Sequence, residues 1–290
     1  MNFESLPNEL LLKLFEYLDA AHLFHAFFRL KSRFDNLLCA HFQFYHLDFR
    51  LLTKYNFKII CEPYLPVILN RIIALHLINN DEIMNMSKLL YTRGFTLDEF
   101  KHLQYISFYR TRSCNLLNQL ICECLFLPQL THLNIIECWL CDNDVDSNYL
   151  VNNIWSLPRL THFNLYESII NTKFFSKISY ISKSIENIYI KMLDSIPVDL
   201  CCLIEFTPHL RCLNGNSFFF CSKPTQTHPS IISIKLDYPE HKLSLINLLQ
   251  QMSNLLYLTI KTQFICMNGD DWKKIFLDYL PNIKRYFDCK

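Results

Sequence analysis

The chain has 290 residues, 51% of them hydrophobic and 19% charged, which fits a protein folded along most of its length and argues against a solvated, disordered one. Its three glycines, Gly94, Gly215 and Gly269, stand too far apart for a dinucleotide fingerprint or a phosphate-cradling P-loop, each of which needs at least two close together. A formal net charge of +1, with no run of four basic residues, supplies no field to draw in nucleic acid or an anionic membrane, and neither is expected as a partner.

The longest apolar stretches are broken by His, Lys, Asn or Asp before the roughly 18 residues that a membrane helix needs. Glu4 and Glu9 stand where a signal peptide carries positive charge. Thirteen cysteines are an odd number, scattered through a chain too long to depend on disulfides, and reduced thiols in the cytoplasm or nucleus are expected.

Three short helices are predicted between Leu6 and Leu38. Pro7 suits a first helical turn and Glu9 complements the positive end of the helix, after which Leu10, Leu11, Leu14, Phe15 and Leu18 make one apolar stripe. Asp19 is expected to cap a second helix carrying Leu23, Phe24, Phe27 and Phe28, and Ser32 a third carrying Phe34, Leu37 and Leu38. So many Leu and Phe residues exceed what three short helices can cover by themselves, so part of this surface should meet another.

The ordered set Leu6-Pro7, Glu9-Leu10, Leu14-Phe15, Tyr17-Leu18, Leu23 and Arg33-Phe34 resembles an F-box, with Phe34 where that family often carries Trp. The resemblance implies a module over residues 1–40 that docks on a Skp-type adaptor, itself held by a cullin within a ubiquitin ligase. The adaptor-binding residues it implies are Leu6, Pro7, Leu10, Leu14, Phe15, Leu18, Leu23 and Phe34.

Residues 41–70 form a junction. Phe42, Phe44, Tyr45, Leu47 and Phe49 read as a short strand, and Leu51–Ile60 and Val67–Ile73 as helices separated by a Pro-containing stretch. With no Gly/Ser run, the junction is expected to be rigid.

From residue 71 to 290 the chain repeats itself. LPQLTHLNII at Leu127 and LPRLTHFNLY at Leu157 are near copies thirty residues apart. Their core, L-x-x-L-x-L with any large apolar residue at L, starts at Ile72, Leu103, Leu130, Leu160, Ile185, Ile231 and Leu255 and, less well, at Leu210 and Ile283. Each copy predicts a short parallel strand with alternate residues buried, then a turn and a helix that returns over the outer side. Helical spacing is expected at Leu116–Leu127, Val145–Leu157, Thr172–Ile181, Leu243–Met252 and Trp272–Leu280.

This pattern resembles leucine-rich repeats, so the expected fold class is α/β, a helical module followed by a solenoid. The resemblance implies that Asn80, Thr111, Cys138 and Ser168 satisfy backbone groups inside the turns, whereas Leu193, Pro239 and Gln263 depart from that pattern. It also implies that the strand residues between the buried ones face the inner curve. These are rich in aromatic and amide side chains, and Tyr105, Tyr109, His132, His162, Tyr166 and Tyr189 are the expected contacts to a protein partner.

Other motifs fail on spacing. Cys122, Cys124, Cys138 and Cys141 resemble a zinc quartet, but Cys138 is already explained by the repeat. Asp142 to Asp146 begins like a calcium loop, yet Ser147 replaces its turn glycine and Asn153 its bidentate Glu. No catalytic residues, metal or cofactor are expected. The chain is thus expected to be a non-catalytic substrate receptor of an SCF-type ligase, with an unknown protein as substrate. A leucine-rich scaffold that recruits no ligase is the alternative.

Overall fold

The computed structural model describes residues 3–18, 20–41, 45–50, 57, 64–80, 84–140, 144–170, 174–192, 198–216, 218–219, 228, 230–237, 242–261 and 269–289. The chain is α/β, with parallel strands alternating with helices. It forms two compact units, Met1–Tyr109 with Phe126–Leu130, and Arg110–Leu125 with Thr131–Lys290. Among the described residues no helix is long and apolar enough to cross a membrane.

The first unit begins with α1 (Asn8–Phe15), α2 (Ala20–Phe27) and α3 (Ser32–His41). Pro7 lies one residue ahead of α1, and its carbonyl accepts the N–H groups of Leu10 and Leu11. Ser32 is the first residue of α3 instead of its cap, because the Lys31 carbonyl takes the opening bonds from Phe34 and Asp35. The Asp35 carboxylate accepts the N–H of Arg29, which has a left-handed φ of 58°, and so closes the joint between α2 and α3. Asp19 lies outside the described residues.

Aromatic contacts fill the centre of this module: Phe27 meets Phe15 at 5.0 Å and Phe34 at 5.5 Å between ring centroids, and Phe24 stacks on Tyr64 at 5.5 Å. Arg33 ties α3 to the chain start, donating to the carbonyls of Glu4 and Leu6 (both 2.6 Å) and to Asn8 Oδ1.

Among the described residues this unit also has parallel strands in the order β1 (Tyr45–Asp48), β2 (Ile72–Asn80) and, after the short antiparallel β3 (Met84–Asn85), β4 (Tyr105–Tyr109). Leu47 and Phe49 are buried as their alternation requires, while Phe42, Phe44 and most of 51–60 lie outside the described residues. The helix expected at Val67–Ile73 is instead a single turn at Leu65–Ile68 with a 3-10 extension to Arg71. It ends there because Ile72 turns extended to enter β2. A helix that the periodicity did not pick out, Met86–Thr92, is capped by Asn85.

In the second unit, among the described residues, the long sheet runs through β5 (His132–Ile136), β7 (His162–Ile170), β8 (Asn187–Met192), β10 (Cys212–Asn216), β12 (Ser233–Asp237), β13 (Tyr257–Lys261) and β14 (Arg285–Cys289), parallel and in sequence order. Each begins two residues after an L-x-x-L-x-L start. Leu133, Phe163, Ile188, Leu213, Ile234 and Leu258 are direct partners across the strands and all are buried. Beyond the turns, β6 (Trp139–Leu140) pairs with the end of β7, and β9 (Val198–Asp199) with β11 (Phe218–Phe219).

Helices follow at Cys114–Cys124, Asp144–Trp155, Leu200–Glu205, Lys242–Leu249 and Gly269–Asp278. The segment Thr172–Ile181 does not form its expected helix. Within its described part only Phe175–Lys177 turns, as 3-10, because Phe174 and Phe175 are drawn into the core, where Phe175 meets the buried Trp155 at 6.0 Å.

The turns after the strands repeat one device. Arg110, Glu137 and Glu167 all take left-handed φ angles, 52°, 52° and 47°, a conformation that costs a non-glycine residue about 1–2 kcal/mol. Each is followed by a buried polar residue, and these bond in series: Thr111 N–H donates to Cys138 Sγ (3.4 Å) and Cys138 N–H to Ser168 Oγ (3.0 Å). Turn amides that would otherwise be buried without a partner are thereby satisfied, which offsets the strain. The side chain of Asn80 is outside the described residues; its neighbour Asn79 is buried and accepts from Ser87 N–H (3.0 Å) and Oγ–H (2.8 Å). Leu193, Pro239 and Gln263 also lie outside the described residues, but in a later coil the Asn216 side chain pairs with both N–H and C=O of Met192.

Phe163→Ala should lower unfolding stability by about 3–5 kcal/mol, and Ser168→Ala, which strands the Cys138 amide, by about 1–3 kcal/mol. Urea denaturation followed by far-ultraviolet circular dichroism measures both.

Candidate functional site

In the second unit every other strand residue points away from the core, and strict register stacks these side chains in rows. His132 lies directly beside His162, Asn134 beside Asn164, and Tyr166 beside Lys191. The two imidazoles are face to face, 4.0 Å apart and 10° from parallel. Asn164 Nδ2 donates to Asn134 Oδ1 at 2.6 Å, and the rings of Tyr166 and Tyr189 stack at 6.2 Å. His132, His162, Tyr166 and Tyr189, four of the expected contacts, thus share one half-exposed face.

The threonine before His162 sets which ring nitrogen carries its proton. Thr161 Oγ1 donates to the Thr131 carbonyl, so its contact with His162 Nδ1 (2.9 Å) uses the oxygen as acceptor and puts the ring proton on Nδ1. Nε2 then accepts from Asn187 Nδ2 at 3.1 Å. This network holds His162 neutral, and partial burial lowers its pKa despite the nearby Glu186 carboxylate. Burial, helped by the adjacent His162, lowers the pKa of His132 to about 4.

Charge collects at the far end of the same face. Lys191 Nζ donates to Tyr166 Oη and Glu167 Oε1, both at 2.9 Å, and lies 4.5 Å from the Tyr166 ring centroid. These bonds raise the pKa of Lys191, and the Lys191 bond in turn lowers that of Glu167. Arg110 and Glu137 pair at 2.7 Å one coil earlier. Glu137 and Glu167 escaped the sequence reading because they precede the buried turn residues and match no repeat position; only their left-handed turn brings their side chains to the face.

Tyr105 and Tyr109 belong to the first unit. Tyr109 lies beneath the Arg50 guanidinium, 4.6 Å from the ring centroid, and accepts from Arg50 Nη1 at 2.9 Å, while Asp48 holds the same guanidinium from its other edge. Burial lowers the pKa of neighbouring His76, whose ring lies 6.2 Å from that of Tyr109. Ser107, expected to alternate outward between the two tyrosines, is fully buried; a small side chain at that position leaves no atom standing above its neighbours.

The residues attributed to adaptor binding divide by burial. Phe15, Leu23 and Phe34 have 0% exposure and form the module's own core, so they hold the surface in shape and cannot touch a partner. Leu10 is 50% exposed, Pro7 is exposed, and Leu6, Leu14 and Leu18 are half-buried. Phe3 and Tyr17, at 50% and 86% exposure, extend the open apolar surface, and the aromatic content of residues 3–17 is the signal that could have identified them.

Burial holds the Cys124 and Cys138 thiols protonated, the latter with its pKa raised to about 11. Cys122 Sγ accepts from Asn153, and Cys141 lies outside the described residues. Among the described residues no group of three or more His, Cys, Asp or Glu could hold a metal ion.

The stacked imidazoles set a pH dependence. Their folded pKa values lie below the ordinary 6.5, so as pH falls the unfolded chain takes up protons first, and stability present at pH 7 is lost progressively from about pH 6.5 toward pH 4. The urea midpoint of the wild type should therefore fall more steeply between pH 7 and pH 5 than that of His132→Asn; parallel curves would show that the pair carries no such coupling. No protein-family model and no curated protein matches the chain.

Proposed function

We propose that the chain is a non-catalytic substrate receptor of an SCF-type ubiquitin ligase. Its F-box-like helices dock on a Skp-type adaptor, and through it a cullin, while its leucine-rich coils hold a protein substrate. The observation that carries this reading is the apolar surface left on the N-terminal module once its core is filled: Phe3, Leu10 and Tyr17 stay exposed beside Pro7 and half-buried Leu14. Surface of that kind on a small helical unit marks an interaction site.

The row of His, Asn and Tyr side chains supports the second half of the proposal. Stiff, amphipathic rings held by neighbours in register offer large contact area at small entropic cost. Work is then done by effective concentration: a tethered substrate lysine meets activated ubiquitin in a nearly intramolecular step. Such a receptor acts in the cytoplasm or nucleus.

Leu10→Asp should abolish co-purification with a Skp-type adaptor and leave the thermal melting temperature nearly unchanged, because Leu10 is half-exposed already. Wild-type protein that fails to capture the adaptor would favour the scaffold reading. Tyr166→Ala combined with Tyr189→Ala should weaken substrate capture by about tenfold or more while adaptor binding persists. Quantitative affinity purification of wild type and variants from the same cells measures both.

A further inference from the structure

The last coil of the second unit has an open side. Among the described residues β14 pairs with β13 along one edge and with no strand along the other. Alternate residues of this five-residue strand therefore turn N–H and C=O groups outward, where no ladder receives them. Edge strands are commonly blunted by Pro, by a bulge or by a covering helix. β14 carries no Pro and follows β13 over five residues without a register shift, so its free edge is a straight template for another strand.

The helix before it, Gly269–Asp278, is incompletely covered on the same side. Ile275 is buried and marks the side of this helix that meets the core. At about 100° per residue, Trp272 and Phe276 stand roughly 60° and 100° round the helix from Ile275, on one flank. Their rings stack at 5.6 Å, 19° from parallel, and both side chains are only half-buried. Connections from a strand through a helix to a parallel strand are right-handed, and in that hand this flank faces onward past β14, away from the preceding helix Lys242–Leu249. A further layer laid against the last coil would cover the strand edge and both rings together.

The order of residues in β14 selects the occupant. Arg285-Tyr286-Phe287-Asp288 is its own complement in antiparallel pairing, because residue 285 stands opposite 288 and residue 286 opposite 287. Unlike charges then meet at both ends and aromatic residues in the middle, combinations that favour strand pairing. The same segment paired parallel and in register would set Arg beside Arg and Asp beside Asp. A two-fold axis perpendicular to the sheet produces the antiparallel arrangement and keeps both helices on one side of it, so the Trp272 and Phe276 flanks of two copies meet as well.

We propose that the last coil is a homodimer interface, in which β14 pairs antiparallel with β14 of a second copy and the two Gly269–Asp278 helices pack flank to flank. The candidate face is then present twice on one particle, and a partner that carries two recognised segments gains by avidity. Dimerisation of this kind is independent of adaptor docking.

Sedimentation equilibrium of the full chain, from submicromolar to high micromolar concentration, tests it. The average mass should rise from that of one chain to that of two and stop there, as a closed two-fold requires. Trp272→Glu and Asp288→Arg should each weaken association by about tenfold or more, the second because it sets Arg285 opposite arginine at two symmetric positions. Adding Arg285→Asp to Asp288→Arg restores the unlike pairs and should return the affinity to near the wild-type value. Should Trp272→Glu melt at lower temperature, the charge reversal and its rescue still decide the matter. A chain that stays monomeric throughout, a mass that keeps growing beyond two copies, a dimer unaffected by the charge reversal, or a double variant that does not recover would each overturn the proposal.

Discussion

Register between parallel strands is the constraint on which the second unit depends. One strand with its turn and helix has an apolar side that it cannot cover alone, and burial comes only from the next copy laid against it. From β5 to β13 the partners run His132, His162, Asn187, Cys212, Ser233 and Tyr257 in one line, so that the buried residues one position later also line up. A slip of one residue anywhere would turn Phe163 or Ile188 outward and a polar neighbour inward. Thr111, Cys138 and Ser168, bonded in series within the turns, oppose that slip at the strand ends.

The same register builds the candidate face at no separate cost. Because near-identical segments lie side by side, His stacks on His and Asn bonds to Asn, and like side chains support one another above the core. The face is stiff for a reason unconnected with any ligand, and stiffness is what makes aromatic and amide groups effective in recognition. Its imidazoles have lowered pKa values because partial burial disfavours the charged ring.

Strand positions were legible in the sequence because period-two burial leaves the L-x-x-L-x-L spacing in every copy, including the weak ones at Leu210 and Ile283, which lie two residues ahead of β10 and β14. Helices were legible where an apolar stripe faced the sheet. They were misread at Thr172–Ile181, where the core takes Phe174 and Phe175 directly, and at Met86–Thr92 and Leu200–Glu205, which are too short for periodicity to register. Half of the site was hidden for tertiary reasons. Left-handed φ at Arg110, Glu137 and Glu167 and burial of Ser107 depend on residues from different copies meeting in space. In the N-terminal module the pattern of residues was visible but its division was not: Phe15, Leu23 and Phe34 support, while Leu10 and Pro7 present.

Adaptor docking is the central claim, and calorimetric titration of the intact chain with a purified Skp-type adaptor tests it most directly. The account requires saturable one-to-one binding with a negative heat-capacity change, the mark of apolar surface such as Leu10 leaving water. Absence of any complex at micromolar concentrations of folded protein would contradict it.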